Sequence, residues 1–154
     1  MDGLSSFQEA LTLGTIEPRP CKWNKNLQVL QDNAEGELRV THARIVDGEA
    51  HGIIIYCIAE NVESVPCFAV GYAVAEKYRR KGIGTTLLSE SVEELSRELH
   101  QVGLTDYYLE AVVGVENTAS NKIATKVLSA KPVRTTDKIS GEPAYQYLKR
   151  FKAV

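Results

Sequence analysis

A basic turn that contains two glycines separates a strand pattern from a helix pattern near the middle of the chain. Residues 77–85 carry four cationic side chains and two glycines, namely Lys77, Arg79, Arg80, Lys81, Gly82 and Gly84. The first N–H groups of a helix have no intrahelical partner, and the helix dipole adds positive charge at the same end. Glycine also lets the backbone approach a ligand closely. The segment therefore predicts a site for a phosphate or a similar anion.

The spacing of apolar residues changes across this turn. Before it they alternate, at Phe68, Val70, Tyr72 and Val74. After it they recur with helical spacing, at Ile83, Leu87, Leu88, Val92, Leu95 and Leu99. The change from a period of two to a period of about 3.6 predicts a strand, a turn and a helix in that order.

The sequence motif V-x-x-x-Y-R-x-K-G-I-G at residues 74–84 resembles the acyl-CoA pyrophosphate loop of the GNAT superfamily of N-acetyltransferases. Glu76 stands where a proline is common in that family. The resemblance implies acetyl-CoA as co-substrate and no metal. It also implies cofactor contacts from Ala73, Val74, Arg79, Arg80, Lys81, Gly82, Ile83, Gly84 and Thr85.

Two other interpretations of the turn stay open. Glycine turns also bind nucleotides, but here Lys81 precedes Gly82, so the P-loop pattern G-x-x-x-x-G-K-[ST] is absent. A basic turn can also simply connect a strand to a helix.

A second motif, Asn117-x-x-Ser120, follows the next predicted strand. It is similar to the GNAT branch that includes ribosomal-protein alanine acetyltransferases, and the resemblance implies that both residues contact the cofactor. Asn117 could equally act only as a helix cap. Many family members carry a tyrosine seven residues after this asparagine as the general acid, whereas this chain has Ala124. This departure keeps a second function open, a non-catalytic acyl-CoA sensor or interaction module.

Acetyl transfer to an amine requires a base that takes up a proton and a donor that stabilises the oxyanion. Glu110 is the first candidate for the base, because a carboxylate interrupts an otherwise apolar strand there. Tyr72 is a second candidate, and Tyr145 or Tyr147 could replace the missing acid. Each tyrosine could equally be a core residue with a satisfied hydroxyl.

The resemblance implies an α/β (α+β) fold, with a mixed, mostly antiparallel sheet of six to seven strands around a central β-α-β acyl-CoA unit. Strands are predicted at 38–46, 50–59, 67–75 and 107–115, and a final hairpin at 132–137 and 144–151. Helices are predicted from Ser6 to Gly14, at 26–34, at 83–98 and after Asn117. No convincing strand precedes residue 37.

Length and composition predict one domain over residues 1–154, and the resemblance implies that it is an N-acetyltransferase domain. A formal charge of −2 argues against a nucleic-acid partner, and no apolar run approaches a membrane span. The start of the chain does not have the pattern of a signal peptide. Three cysteines without C-x-x-C spacing favour reduced thiols in the cytoplasm, and scattered histidines predict no metal site. The expected partner is a small-molecule or peptide amine, and a homodimer stays open.

Overall fold

The computed structural model describes residues 3–152, which form one eight-stranded sheet with helices on both faces. The helices are α1 Gly3–Leu13, α2 Ile83–Gln101 and α3 Thr118–Val127, and a 3₁₀ turn occupies Glu76–Tyr78. The strands are β1 Arg19–Pro20, β2 Gln28–Ala34, β3 Glu37–Val46, β4 Glu49–Val62, β5 Val65–Val74, β6 Asp106–Gly114, β7 Val133–Thr136 and β8 Pro143–Lys152. No helix in this described range is both long and apolar enough to cross a membrane.

The strand order in the sheet is β1-β2-β3-β4-β5-β6-β8-β7. Every neighbouring pair is antiparallel except β5 and β6, which are parallel and joined through α2. This arrangement confirms the predicted mixed, mostly antiparallel sheet with a central β-α-β unit. The described range holds eight strands, more than the six to seven expected, because both β1 and β2 precede residue 37.

The helix predicted at residues 26–34 is wrong, and so is the expectation that no strand precedes residue 37. Residues 28–34 form β2, which pairs with β3 along its whole length from Gln28↔Ala43 to Ala34↔Glu37. Leu27, Leu30 and Ala34 have helical spacing, but Leu27 precedes the strand and pairing of residues 28–34 with β3 decided the outcome. The Glu35-Gly36 turn, with φ of 52° and 84°, closes this hairpin directly.

Two apolar cores lie on opposite faces of the sheet. The larger one packs α2 and α3 against the sheet, through fully buried residues such as Leu87, Leu109 and Ala124. The smaller one packs α1 on the other face through Phe7, Ala43, Ala50 and Ile53. The β-α-β unit is therefore supported from one side by α2 and α3, and α1 covers part of the other side.

Helix α1 begins at Gly3 rather than at the capping pattern predicted from Ser6, and it ends before Gly14 as predicted. Its Gln8 side chain fastens it to the turn between β3 and β4. The Gln8 amide nitrogen donates to the Gly48 carbonyl at 3.1 Å, and its oxygen accepts from the Ala50 N–H at 2.8 Å. The Asp47-Gly48 hairpin turn predicted from sequence is present, with φ of 51° and 77°.

Two glycines in the central strands differ in the space around them, and this predicts different tolerance to alanine. A Cβ at Gly52 would lie 2.5 Å from Leu87 Cδ2 and 3.1 Å from the Ala73 carbonyl oxygen, whereas a Cβ at Gly71 meets no atom within 4 Å. We expect Gly52→Ala to lower the free energy of unfolding by about 1–3 kcal/mol through overpacking. Urea denaturation measures it. Gly71→Ala is the matched control, and equal losses in both variants would contradict the packing assigned to Gly52.

Candidate acyl-CoA site

The parallel strands β5 and β6 pair only over their first part. The ladder consists of Cys67↔Tyr108, Phe68↔Leu109 and Ala69↔Glu110. Beyond it β5 stays paired to β4 as far as Val74, and β6 stays paired to β8 as far as Gly114. The two strands therefore separate toward their C-terminal ends, and backbone groups of residues 70–74 that face β6 have no strand partner there.

The basic turn lies at the open end of this gap and leads into α2. Gly82 is the N-cap of α2 and has the left-handed φ of 73°. No side chain caps the helix, and the Thr86 N–H is the first to bond back, to the Gly82 carbonyl at 3.2 Å. The helix N-terminus therefore keeps donors for an anion. A Cβ at Gly82 meets no atom within 4 Å, so this glycine faces open space.

The basic residues of the turn are not equivalent. Lys77 forms an ion pair with Glu49 at 2.9 Å, and the Tyr78 hydroxyl donates to the same carboxylate at 2.7 Å. These bonds lower the pKa of Glu49. The positive charge of Lys77 is therefore already balanced by a carboxylate. Arg79 donates its Nε–H to the Val74 carbonyl at 2.9 Å, which ties the turn to the end of β5.

Two exposed cations of the turn are left for a ligand. Arg80 and Lys81 form no ion pair with any residue in the described range. They are adjacent to Gly82 at the start of α2, where the helix N–H groups are also available. A phosphate at this point would meet both kinds of partner.

Gly84 is required for close packing between elements rather than for the approach of a ligand to the backbone. A Cβ there would lie 2.6 Å from Ile123 Cδ1 and 3.3 Å from Val74 Cγ2. The first turn of α2 therefore lies against both α3 and the end of β5. The two glycines of the motif are required for different physical reasons, one for its backbone conformation and one for close contact.

A groove of about 920 Å³ lies on the other side of the turn, between it, α1 and the β3–β4 hairpin. Its lining includes Glu9, Asp47, Glu49 and Glu76, against only Lys77 and Arg79. An excess of carboxylates disfavours a phosphate. The negative charge of the groove disfavours a phosphate there. The positive charge of Arg80 and Lys81 favours a phosphate on their side of the turn.

Asn117 is a helix cap in this structure. Its side-chain oxygen accepts from the Ser120 N–H at 3.1 Å, as expected of an N-cap. Asn121, which the sequence analysis missed, fixes the same loop by donating to the carbonyls of Gly114 and Asn117, both at 2.9 Å. The cap function of Asn117 is confirmed, and its cofactor contact remains a prediction, as does that of Ser120.

Two of the predicted catalytic residues, Tyr72 and Tyr147, hold α3 beneath the gap. The Tyr72 hydroxyl on β5 donates to the Ser120 carbonyl at 2.6 Å. The Tyr147 hydroxyl on β8 donates to the Asn121 side-chain oxygen, and Tyr147 is buried. Burial, reinforced by the nearby Tyr147, raises the pKa of Tyr72 above its ordinary value. Helix α3 is thus tied to strands on both sides of the gap.

Glu110 lies at the point where β5 and β6 begin to separate. It is the last β6 residue of the parallel ladder, opposite Ala69. Its neighbours Leu109 and Ala111 face the core under α2 and α3, so its own side chain lies on the opposite face of the sheet. There it accepts from the Gln146 amide at 2.6 Å. Tyr72 and Tyr147 therefore lie on the opposite face of the sheet from Glu110.

Sequence patterns alone had no signal for Gln146 or Gly71, which border the gap on the Glu110 face. Gln146 belongs to β8 and is reached only because β8 pairs with β6. Gly71 is exposed on β5 with no atom near its Cβ position, so that face of β5 is open beside the gap.

The family model of the GNAT acetyltransferases matches residues 6–128. The chain belongs to the GNAT acetyltransferase family. The match runs from within α1 to just after α3, so it includes β5, the basic turn, α2 and β6, which surround the gap. No curated protein sequence matches this GNAT chain.

Solved structures share the fold of this GNAT protein at low sequence identity. An acetyltransferase of the GNAT family from Streptococcus pneumoniae is 17% identical over 73% of this chain and 66% of its own, with a TM-score of 0.55. A ribosomal-protein-S5-alanine acetyltransferase from Vibrio fischeri is 15% identical over 73% and 61%, with a TM-score of 0.53. RimJ of Mycobacterium smegmatis is 19% identical over 75% and 54%, with a TM-score of 0.55. The chain thus covers less than two thirds of each of these relatives.

The two hydroxyl bonds to α3 predict a measurable contribution to stability. We expect Tyr72→Phe and Tyr147→Phe each to lower the free energy of unfolding by about 1–2 kcal/mol, because each leaves an acceptor in α3 without its donor. Tyr145→Phe is the matched control, since its hydroxyl has no hydrogen bond among the described residues. Chemical denaturation compares the three variants. An equal loss of unfolding free energy in Tyr145→Phe would contradict the stabilising role assigned to the two hydrogen bonds.

Proposed function

We propose that this protein transfers an acetyl group from acetyl-CoA to a primary amine of a small molecule or peptide, by direct attack assisted by a general base. The separation of β5 and β6 beyond Ala69↔Glu110 carries the proposal, because it opens backbone donors and acceptors beside a helix N-terminus. A thioester cofactor with a long polar arm and phosphates suits both features. RimJ of Mycobacterium smegmatis, which shares the fold, was solved in complex with CoA-disulfide, which supports this choice of cofactor.

The cofactor half of the site divides into two parts. We assign the phosphates to Arg80, Lys81, Gly82 and the first N–H groups of α2, where positive charge has no counter-ion in the described range. We assign the extended arm to the β5 edge at residues 70–74, including Ala73 and Val74, whose outward backbone groups can pair with amides. Ile83, Gly84 and Thr85 then shape the start of α2, and Arg79 holds the turn.

The chemistry needs one proton to leave the attacking amine. The amine nitrogen forms a bond to the thioester carbon, the carbon–sulfur bond breaks, and the departing CoA thiolate takes up a proton to leave as the thiol. Glu110 is our candidate for the group that accepts the amine proton, directly or through water, because it lies where β5 and β6 begin to separate. A free N–H of β5 would stabilise the developing oxyanion.

The tyrosines are weaker candidates for proton transfer. Tyr72 already donates to a backbone carbonyl, and its raised pKa makes it a poor base at neutral pH. Tyr147 donates to Asn121 from a buried position. Ala124, which stands where relatives carry a tyrosine acid, is fully buried. We therefore assign Tyr72 and Tyr147 chiefly to positioning α3.

The acceptor belongs on the Glu110 face, over Gly71. The Vibrio fischeri structure that shares the fold is a ribosomal-protein-S5-alanine acetyltransferase, which supports a peptide amine as one class to test. We place the reaction in the cytoplasm, in agreement with the free thiols of Cys21, Cys57 and Cys67. We also treat residues 1–154 as one catalytic domain, and a homodimer remains open to test by light scattering.

Ligand linkage tests the cofactor. We expect acetyl-CoA at millimolar concentration to raise the melting temperature of the protein by several degrees. Gly82→Glu should abolish the shift, because it places a carboxylate at the proposed phosphate position. Gly36→Glu is the matched control, since Gly36 also has a left-handed φ, of 84°, but lies in the distant β2–β3 turn. No shift in the wild-type protein, or a larger one with ATP or NAD, would contradict acyl-CoA binding.

Thiol release from acetyl-CoA across a panel of amines, amino acids and peptides tests catalysis. Once an acceptor is found, we expect Glu110→Gln to lower kcat by about 10²–10⁴-fold, because a general base contributes that much. The melting shift with acetyl-CoA should persist, since the cofactor residues are intact. Glu116→Gln, at an exposed site just after β6, is the control. If acetyl-CoA binds but no thiol is released with any amine of the panel, the result would support the sensor function instead. Full activity in Glu110→Gln would exclude Glu110 as the general base.

A further inference from the structure

Three side chains that are distant in sequence lie close together where α2 meets β3 and the β1–β2 loop, away from the acyl-CoA site. Cys21 comes from the loop between β1 and β2, His42 from β3, and Glu98 from α2. Their candidate ligand atoms, one sulfur, one imidazole nitrogen and one carboxylate oxygen, all lie within 4.8 Å of one another. Cys21 and His42 are fully buried.

The chemistry of these three ligands points to one class of ion. Thiolate, imidazole and carboxylate together match Zn²⁺, which accepts all three, whereas Mg²⁺ and Ca²⁺ require oxygen ligands alone. We propose that Cys21, His42 and Glu98 form a zinc-binding site that fastens the 21–27 loop to α2, with a fourth position for water. This departs from the expectation that no metal site exists, which rested on the spacing of the histidines in sequence.

The surroundings of His42 support metal binding through one of its nitrogens. His42 Nδ1 lies 2.7 Å from Ser91 Oγ, and Ser91 Oγ lies 2.8 Å from the Tyr56 hydroxyl. With the proton on Nδ1 donated to Ser91, the Nε2 lone pair is directed at Glu98, whose oxygen is 3.2 Å away. Zinc-binding histidines are typically held by such a hydrogen bond from the other ring nitrogen.

The loop that carries Cys21 is held in place without the metal. Glu94, a buried carboxylate on α2, accepts the N–H of Asn24 at 2.7 Å and that of Trp23 at 3.4 Å. Within the loop, the Cys21 N–H donates to the Leu27 carbonyl at 2.9 Å. Cys21 is therefore presented to His42 by a fixed backbone, so binding requires little reorganisation.

Geometry and charge both allow the ion. Zinc bonds of ordinary length place tetrahedral ligand atoms about 3.3–3.6 Å apart, so the cluster must contract by roughly 1 Å. His42 Nε2 and the Glu98 oxygen are already 3.2 Å apart, so the contraction falls mainly on the Cys21 side chain, and the 29% exposure of the Glu98 side chain gives the ion an entry path. Zn²⁺ displaces the thiol proton of Cys21 to solvent, and the resulting thiolate and the Glu98 carboxylate balance its charge.

Zinc titration of the 154-residue chain, stripped with EDTA and dialysed, tests the proposal in competition with a chromophoric chelator. We expect one equivalent of Zn²⁺ per chain and a rise in melting temperature. Co²⁺ in place of Zn²⁺ should give a thiolate-to-cobalt charge-transfer band, since a cysteine sulfur coordinates it. This experiment needs no acetyl-CoA, so its outcome is independent of the proposed acetyl transfer.

Variants decide whether the bound ion lies at this cluster. Cys21→Ser and Glu98→Gln should each weaken zinc binding at least ten-fold, and Cys21→Ser should also remove the cobalt charge-transfer band. Cys57→Ser and Glu93→Gln are the controls, since Cys57 lies on β4 and Glu93 on the exposed face of α2. Glu98→Gln keeps the proposal testable if Cys21→Ser fails to fold, because Glu98 is partly exposed. The absence of stoichiometric binding, or unchanged affinity in Glu98→Gln, would overturn the proposal.

Discussion

The separation of two parallel strands is the constraint on which the rest of this structure depends. Beyond Ala69↔Glu110, β5 remains paired with β4 and β6 remains paired with β8, but β5 and β6 no longer pair with each other. Backbone groups left unpaired between strands are costly if buried, so such a gap is stable only when water or a ligand satisfies them. The family to which the chain belongs uses acyl-CoA chemistry, and the gap with the adjacent start of α2 offers the polar groups that such a ligand requires.

Helix α3 is fastened to the elements on both sides of the gap. Tyr72 reaches it from β5 and Tyr147 from β8, while Gly84 lets the first turn of α2 approach Ile123 of α3. These contacts lie on the face covered by α2 and α3. Glu110 and Gln146 occupy the opposite face. The fold therefore separates a face packed under α2 and α3 from the opposite face, to which we assign the acceptor amine.

The local patterns around the basic turn were sufficient to predict the central unit, because a strand period, a turn and a helix period succeed each other within residues 68–99. The N-terminal part was mispredicted at β2, since Leu27, Leu30 and Ala34 have helical spacing, whereas residues 28–34 pair with β3 as a strand. The partners of Glu110 and the Cys21, His42 and Glu98 cluster depend on long-range pairing and packing. Sequence spacing carries no signal for either.

Hydrogen–deuterium exchange of backbone amides, with and without acetyl-CoA, tests the central claim most directly. If the cofactor occupies the gap and the start of α2, exchange should slow at residues 70–74 and 80–85, while the Gly103 turn at the far end of α2 stays unchanged. Slower exchange in those two segments would locate the cofactor where the strands separate. Saturating acetyl-CoA that leaves both segments unchanged, or that protects only residues elsewhere, would contradict the account.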